Sequence, residues 1–463
     1  MERISILDTL NHVGEEVVLK GWVNTRRKMG KMIFIDFRDR SGVCQVIFLP
    51  NHAEALEEAK KLGVEYCIEL KGMVNQRPEK QVNKDLATGT VEIEALELKI
   101  LSESETPPFE IEDEFKEEVN EELRLKHRYL DLRRERMQKN LILRHNVAKS
   151  MREYLYEQDF MEVETPILTK STPEGARDFL VPSRNYPKKF YALPQSPQQY
   201  KQLLMVGGIE KYFQISRCFR DEDARGDRQP EFTQLDIEMS FVERDDVIVA
   251  MEELITQVVK VVAPEKKLTF STMPRKTYQE VMDEYGVDRP DLRENKEDPN
   301  ELAFLWVTDF PFFEKTEDDK WTFTHNPFSA AIPDHHEWLM QKENIGDIIT
   351  TQYDMVLNGF EIGGGSIRNH QPEALKKVLE IIGYSDEEIQ ANFGHMLEAF
   401  KYGTPPHGGI AFGLDRLVAV LAGEQGIRDV IAFPKTLEGR DPMMDSPSDV
   451  DQEQLDELSI KLV

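Results

Sequence analysis

From residue 211 to 241 the chain reads KYFQISRCFRDEDARGDRQPEFTQLDIEMSF. Two alternating segments flank a loop that carries Arg220, Asp221, Glu222, Asp223, Arg225, Asp227, Arg228 and Glu231. In the second segment Gln234, Asp236 and Glu238 fall on one face, and Leu235, Ile237 and Met239 on the other. A period of two makes a strand with one apolar and one polar face. Inside a chain of 463 residues, a polar strand face meets either water or a ligand. The loop sets cations beside carboxylates, a mixture that suits a nucleotide with a divalent ion. For Arg220 the plain alternative is a surface ion pair with Glu222 or Asp223.

The length allows about three domains. The net charge of -28 by itself argues against a nucleic-acid partner. The distribution of that charge points the other way. Residues 1–101 hold 15 Lys/Arg against 16 Asp/Glu, and residues 20–40 hold seven basic side chains against two acidic ones. A compact basic patch in an acidic protein is a usable footprint for phosphate. Cys44, Cys67 and Cys218 have no metal-ligand spacing and read as reduced thiols. The N-terminus has no secretory pattern and no apolar run approaches 18 residues, so a cytoplasmic protein without a membrane span is expected.

Within residues 1–101, strand-like runs cover 17–23, 32–39, 44–49, 66–74 and 91–101, with a short helical pattern between the third and fourth. This is the pattern of an OB-fold, a small barrel that often binds oligonucleotides; a purely structural barrel is the plain alternative. The paired prolines and acidic run after residue 101 suggest a hinge. A helical pattern from about 131 to 158 leads into mixed strands and helices. The expected division is a barrel over 1–104, a hinge over 105–135 and a catalytic domain over 136–463.

Four further constellations carry chemistry. In 408–423, GGIAFGLDRLVAVLAG, a glycine-rich strand runs into a helix that starts near Arg416. Glycine lets a flat base lie close to the backbone, and a cation at a helix start suits a terminal phosphate. In 353–368, YDMVLNGFEIGGGSIR, Asp354 and Glu361 have opposite parity in an apolar strand. A bulge near Asn358-Gly359 would bring them to one side, where paired oxygens suit Mg²⁺; Arg368 follows in the same region. Gln198 and Lys201 share a helical face. Glu174 sits on a Pro/Gly loop that could act as a lid.

Taken in order, these segments resemble motifs 2 and 3 of the class II aminoacyl-tRNA synthetases, and nearly the whole chain is similar to the bacterial-type aspartyl-tRNA synthetases. Pro166 in ETPIL stands where motif 1 has its proline, and motif 1 builds the dimer interface in that family. The resemblance implies an α+β multidomain protein: an N-terminal OB barrel, and a catalytic domain on an antiparallel sheet flanked by helices. It implies an aspartate–tRNA ligase with Arg220, Glu361 and Arg416 as its catalytic set. Aspartate would be held by Glu174, Gln198, Lys201, Arg220, Asp236, His325 and Arg368. ATP would lie on Arg220, Asp221, Glu222, Gln229, Glu361, Gly413, Leu414, Asp415 and Arg416, with Mg²⁺ on Asp354 and Glu361. The anticodon would meet Arg26, Arg27, Lys28, Phe34 and Gln45, with Phe34 stacking on a base. The implied partners are tRNA(Asp), ATP, L-aspartate and a second copy of the chain; whether tRNA(Asn) is also charged stays open.

Three departures stand out. Many family members have two successive histidines where this chain has His325-Asn326. Ile47 replaces a common aromatic, and the neighbouring Phe48 has the opposite parity. The inserted domain that bacterial-type members carry between motifs 2 and 3 is missing, replaced by a short polar linker (ENKEDPNELA) expected to bury nothing. Rival readings are an amidoligase on the same catalytic fold, a non-catalytic RNA-binding relative, and the asparaginyl or lysyl enzymes. The barrel with Phe34 and Gln45 argues against the first. The set Arg220, Glu361, Arg368 and Arg416 argues against the second, and the Lys201/Arg368 pair favours a dicarboxylate over the last two.

Overall fold

In the computed structural model, which describes residues 2–112, 119–172 and 175–462, the alternating runs near the N-terminus are strands. They are β1 (Glu16–Met29), β2 (Met32–Asp39), β3 (Gly42–Phe48), β4 (Cys67–Gln76) and β5 (Val91–Ser102), with helix α1 (Ala53–Ala59) between β3 and β4. They close a barrel in the order β1-β2-β3-β5-β4. Every second side chain points inward, so Leu19, Ile35, Phe37, Val46, Phe48 and Leu70 are fully buried.

β1 runs further than its apolar residues indicate and takes in the basic run. Its pairing with β2 slips by one between Val23 and Thr25, so Asn24 is bulged. Arg27 then lies opposite Phe34, whereas Arg26 and Lys28 lie opposite Ile35 and Ile33. Because faces alternate along a strand, the three basic side chains do not share one side.

The chain separates into two compact units, residues 1–138 and 139–463. The described parts of the expected hinge group with the barrel. Arg133 reaches Glu65 at 2.7 Å, its guanidinium stands 5.1 Å from the Trp22 ring centroid, and Arg134 donates to the Glu110 carbonyl at 2.8 Å.

The second unit is built on an eight-stranded sheet. Its strands in chain order are β6 (Met161–Glu162), β7 (Lys211–Phe219), β8 (Glu231–Ser240), β9 (Arg275–Thr277), β10 (Phe304–Thr308), β11 (Tyr353–Leu357), β12 (Phe360–Ile367) and β13 (His407–Gly413). The spatial order is β9-β10-β11-β12-β13-β8-β7-β6. The six central strands are antiparallel; each edge strand, β9 and β6, joins its neighbour in parallel.

One face of this sheet is apolar. Leu235, Ile237, Ile410 and Phe412 share a core with Met151 and Leu155 of α2 (Glu135–Glu157). Val247, Met251 and Leu254 of α4 (Arg244–Val262) join it, as do Leu417 and Val418 of α7 (Leu414–Ala422). The opposite face carries Gln234, Asp236 and Glu238, as the alternation requires. Near it lies α3 (Gln198–Val206), and α5 (Pro372–Ile381) and α6 (Asp386–Ala399) make a smaller core around Phe328 and Phe393. No described helix is long and apolar enough to cross a membrane.

Two expectations about local structure need correction. Asp354 and Glu361 do not lie on one bulged strand. Asn358 and Gly359, with φ of 51° and 84°, form the two-residue turn of a hairpin between β11 and β12. The bulge falls instead at Ile362, because Val356 faces Glu361 while Met355 faces Gly363. The linker also buries more than its polarity suggests. Leu302 and Ala303 are buried, and Asn358 ties the linker to the hairpin through the Glu301 carbonyl (2.9 Å) and the Ala303 amide (2.8 Å).

Candidate active site

A cavity of about 690 Å³ opens on the polar face of the second unit's sheet. Gln198, Lys201, Arg220, Glu222, Gln229, Asp236, His325, Glu361, Arg368, Gly413, Asp415 and Arg416 all line it, drawn from six separate segments. Asp221 does not; its carboxylate pairs with Arg177 at 3.1 Å. Leu414 is buried in the apolar core, so only its backbone is available to a ligand. Glu174 lies outside the described residues.

Four buried charges form one end. Lys201 Nζ reaches Asp236 Oδ1 at 2.7 Å and Glu238 Oε2 at 3.2 Å. Arg368 grips the same Glu238 with Nε at 2.9 Å and Nη2 at 3.2 Å. Glu238 was absent from the expected site, although it is the third member of the polar face that contains Gln234 and Asp236. Its carboxylate fits because Gly409 lies opposite on β13; a Cβ there would stand 2.1 Å from Glu238 Oε2. Burial alone would raise the Glu238 carboxyl, but Arg368 and Lys201 outweigh it and hold the group below the ordinary range. Burial pushes Asp236 the other way, upward, against the pull of Lys201. Asp236 Oδ2 and Gln198 Nε2 are both buried without a hydrogen-bond partner. A buried acceptor and a buried donor, each with nothing to bind, are the marks of a ligand site.

At the other end Arg220 stacks on Phe232, with 5.1 Å from guanidinium carbon to ring centroid. Its Nε has no partner, and among the described residues it makes no ion pair with Glu222 or Asp223. Glu222 instead faces Arg228 at 3.7 Å. Arg416 donates to the Glu361 carbonyl at 2.7 Å and meets Asp227 Oδ2 at 3.3 Å. Gln229 Oε1 accepts from the Lys435 amide at 2.7 Å. Asp415 has both oxygens engaged: Oδ1 with Arg144, and Oδ2 with the Thr233 amide at 2.8 Å. It therefore fastens the start of α7 to β8.

The bulge at Ile362 turns Glu361 onto the same face as Gly364, Ser366 and Arg368. Asp354, directly opposite Gly364, lies just behind the cavity wall. A Cβ on Gly364 would stand 2.8 Å from Asp354 Oδ1, so this glycine admits a carboxylate. Asp354 Oδ2 faces His325 Nε2 at 3.3 Å. Burial raises the Glu361 carboxyl, and the charge of Asp354 raises it further against Arg416, His325 and Arg220. For His325, burial works downward, but Asp354 and Glu361 outweigh it and its pKa rises. Two hard oxygen donors repelling one another suit a magnesium ion that also uses phosphate and water. Among the described residues no group of three or more His, Cys, Asp or Glu gathers to hold an ion alone.

On the barrel, Phe34 is half-buried on the outer face of β2, with Arg27 opposite on β1 and Ile47 opposite on β3. Gln45 lies opposite Asp36 and donates to Glu92 at 3.2 Å. Arg27 is paired with Asp36 at 2.9 Å, so the free charge of the basic run falls mainly on Arg26 and Lys28. Phe48 is fully buried inside the barrel, on the face opposite Ile47.

Residues 120–437 match the family of class II tRNA synthetases (D, K and N), and residues 17–101 match the OB-fold nucleic acid binding domain. The chain is 41% identical to an aspartate–tRNA ligase of Macrococcus caseolyticus, over 98% of this chain and 97% of that one. It is 42% identical to an aspartate–tRNA(Asp/Asn) ligase of Syntrophomonas wolfei, over 97% of each. The Macrococcus alignment spans 583 residues against a chain of 463, so more than a hundred positions within the match have no counterpart here. Among solved structures, asparaginyl-tRNA synthetase from Pyrococcus horikoshii superimposes with a TM-score of 0.75 at 24% identity, over 94% of this chain and 98% of that one. Aspartyl-tRNA synthetase from Entamoeba histolytica does so with 0.73 at 23%, over 94% and 91%.

Proposed function

The chain belongs to the class II tRNA synthetases (D, K and N), and we propose that it activates aspartate with ATP and passes the aspartyl group to tRNA. The observation that carries the choice of amino acid is the buried quartet Lys201, Asp236, Glu238 and Arg368. It offers N–H donors from two cations and one open carboxylate oxygen, Asp236 Oδ2. An α-amino acid with a side-chain carboxylate supplies the matching acceptor and ammonium. Lysine would bring a third cation to Lys201 and Arg368, and asparagine would turn an NH₂ toward donors.

In this reading Lys201 and Arg368 hold the side-chain carboxylate. Asp236 and Gln198 hold the ammonium end. The α-carboxylate is thereby aimed at Arg220. Its oxygen attacks the α-phosphorus of ATP as the bond to pyrophosphate breaks. The nucleophile is already an anion, so no side chain needs to take a proton. Arg220, pinned on Phe232, has its fork available for the α-phosphate and the attacking carboxylate together. Arg416 receives the terminal phosphate once Asp227 gives way. Glu361 and Asp354 would hold Mg²⁺, which supplies positive charge against the phosphates. In the second step a ribose hydroxyl at the tRNA terminus attacks the adenylate carbonyl and AMP leaves.

The barrel would present Phe34, Gln45, Arg26, Arg27 and Lys28 to the anticodon. A homodimer fits the exposed apolar side chains Met161, Ile167 and Leu168 around Pro166, next to edge strand β6. A cytoplasmic setting belongs to the same reading. The test is charging of tRNA(Asp) and tRNA(Asn) side by side with L-aspartate and ATP. Aspartyl-tRNA(Asp) is the expected product. Charging of tRNA(Asn) at a similar rate would extend the reading to both tRNAs, and no charging of either would overturn it.

A further inference from the structure

Three buried side chains join the two ends of the cavity. Arg368 Nη1 donates to Ser366 Oγ at 2.9 Å, and the hydroxyls of Ser366 and Ser329 share a hydrogen bond of 2.9 Å. Ser329 Oγ donates to Gln352 Oε1 at 3.3 Å, and Gln352 Nε2 donates to Asp354 Oδ1 at 2.7 Å. Ser366, Ser329 and Gln352 are 0%, 1% and 3% exposed, so water does not compete for these bonds.

The proton order follows from what each group can do. An arginine only donates, an ionised carboxylate only accepts, and each serine has one proton. The arrangement that uses every group runs one way: Arg368 to Ser366, Ser366 to Ser329, Ser329 to the Gln352 oxygen, and the Gln352 NH₂ to Asp354. Asn326 Oδ1, which accepts from the Phe328 amide at 2.9 Å, lies equally close to Ser329 at 3.3 Å and has a second lone pair, but only the order through Gln352 also supplies Gln352 Oε1 with a donor. Aligned bonds of this kind polarise one another, and a break anywhere weakens the rest. The backbone is shaped to admit the chain, since a Cβ on Gly364 would also stand 3.4 Å from Gln352 Nε2.

We propose that Gln352 is a positioning residue that sets the Asp354 carboxylate and, through Ser329 and Ser366, links its placement to that of Arg368. Filling the amino-acid end of the cavity then firms the acid pair that faces the nucleotide. This rests on the reading of the cavity as an aspartate and ATP site. Gln352 acts through Asp354 and Arg368, not by chemistry of its own.

Gln352→Met keeps the volume and removes both of its bonds. Ser329→Ala cuts the chain one link away and leaves the Gln352–Asp354 bond in place. Aspartate binding to the full chain is measured by calorimetry, with and without Mg²⁺ and a non-hydrolysable ATP analogue, beside a melting curve for each protein. In the unaltered chain the analogue with Mg²⁺ is expected to tighten aspartate binding about tenfold, within the usual range of coupling between sites. In both variants that ratio should fall below about twofold, while aspartate binding without nucleotide changes less than about threefold. Should Gln352→Met melt before the measurement, Ser329→Ala decides alone. A variant that keeps the full ratio, or an unaltered chain without one, overturns the inference. An unaltered chain that binds no aspartate under any condition overturns instead the reading of the cavity.

Discussion

Arg368 and Glu238 meet in a two-pronged ion pair, Nε to Oε1 at 2.9 Å and Nη2 to Oε2 at 3.2 Å, with both side chains out of reach of water. The two cations of the pocket are therefore not waiting for an anion, because Glu238 and Asp236 already balance Lys201 and Arg368. Selection must then come from hydrogen-bond direction as much as from net charge. Asparagine fits the space but faces at least one cationic donor with its own NH₂. An unsatisfied buried polar group costs about 1–3 kcal/mol, more when a charge is involved. Pyrophosphate exchange with asparagine should therefore run about a hundredfold or more below that with aspartate. Equal rates would remove the basis for assigning aspartate.

Arg220 is held by a ring instead of a carboxylate. Arg220→Lys keeps the charge and loses both the planar stack and the fork, so adenylate synthesis should fall by two orders of magnitude or so, within what one preorganised donor contributes. Phe232→Leu leaves the arginine but removes its platform, at about 0.5–2 kcal/mol. Binding of tRNA should barely change in either. Near-normal turnover of Arg220→Lys would show that the fork is not needed.

Phe34 has a half-exposed ring on the outer face of the barrel, between Arg27 and Ile47. Phe34→Ala should weaken tRNA charging by about 1–3 kcal/mol, the contribution of one stacked base. Pyrophosphate exchange, measured without tRNA, should stay the same. Parallel loss of both activities would point to a folding fault and count against anticodon stacking.

Asn358 makes two side-chain hydrogen bonds to the linker, donating to the Glu301 carbonyl and accepting from the Ala303 amide. It also holds a positive φ of 51°, which asparagine tolerates better than alanine. Asn358→Ala should destabilise the second unit by roughly 2–4 kcal/mol, counting about 1 kcal/mol or more for each lost bond and the backbone strain. The melting temperature should drop by several degrees, with exchange activity at 25 °C retained. An unchanged melting curve would mean that the linker does not depend on this tie.

Much of the architecture is present in local pattern. Strict alternation in 234–239 dictates a strand with one apolar face, whatever that strand pairs with. Cationic side chains at Lys201, Arg220, Arg368 and Arg416, spread over more than two hundred positions, have no common purpose unless folding gathers them. What tertiary structure alone decided is how those groups meet. Parity placed Asp354 and Glu361 on opposite faces of one strand, yet they lie on two strands of a hairpin. A single bulged residue, Ile362, re-phases everything before Gly363. A bulge is set by which register buries Ile362 and Met355 together, and no local pattern records that choice. Glu238 was visible as one more polar residue on β8. Its part as the shared partner of Lys201 and Arg368 exists only because α3, β8 and β12 converge there and Gly409 leaves the space. Charges on separate segments acquire their partners, and hence their chemistry, only when the chain between them is folded.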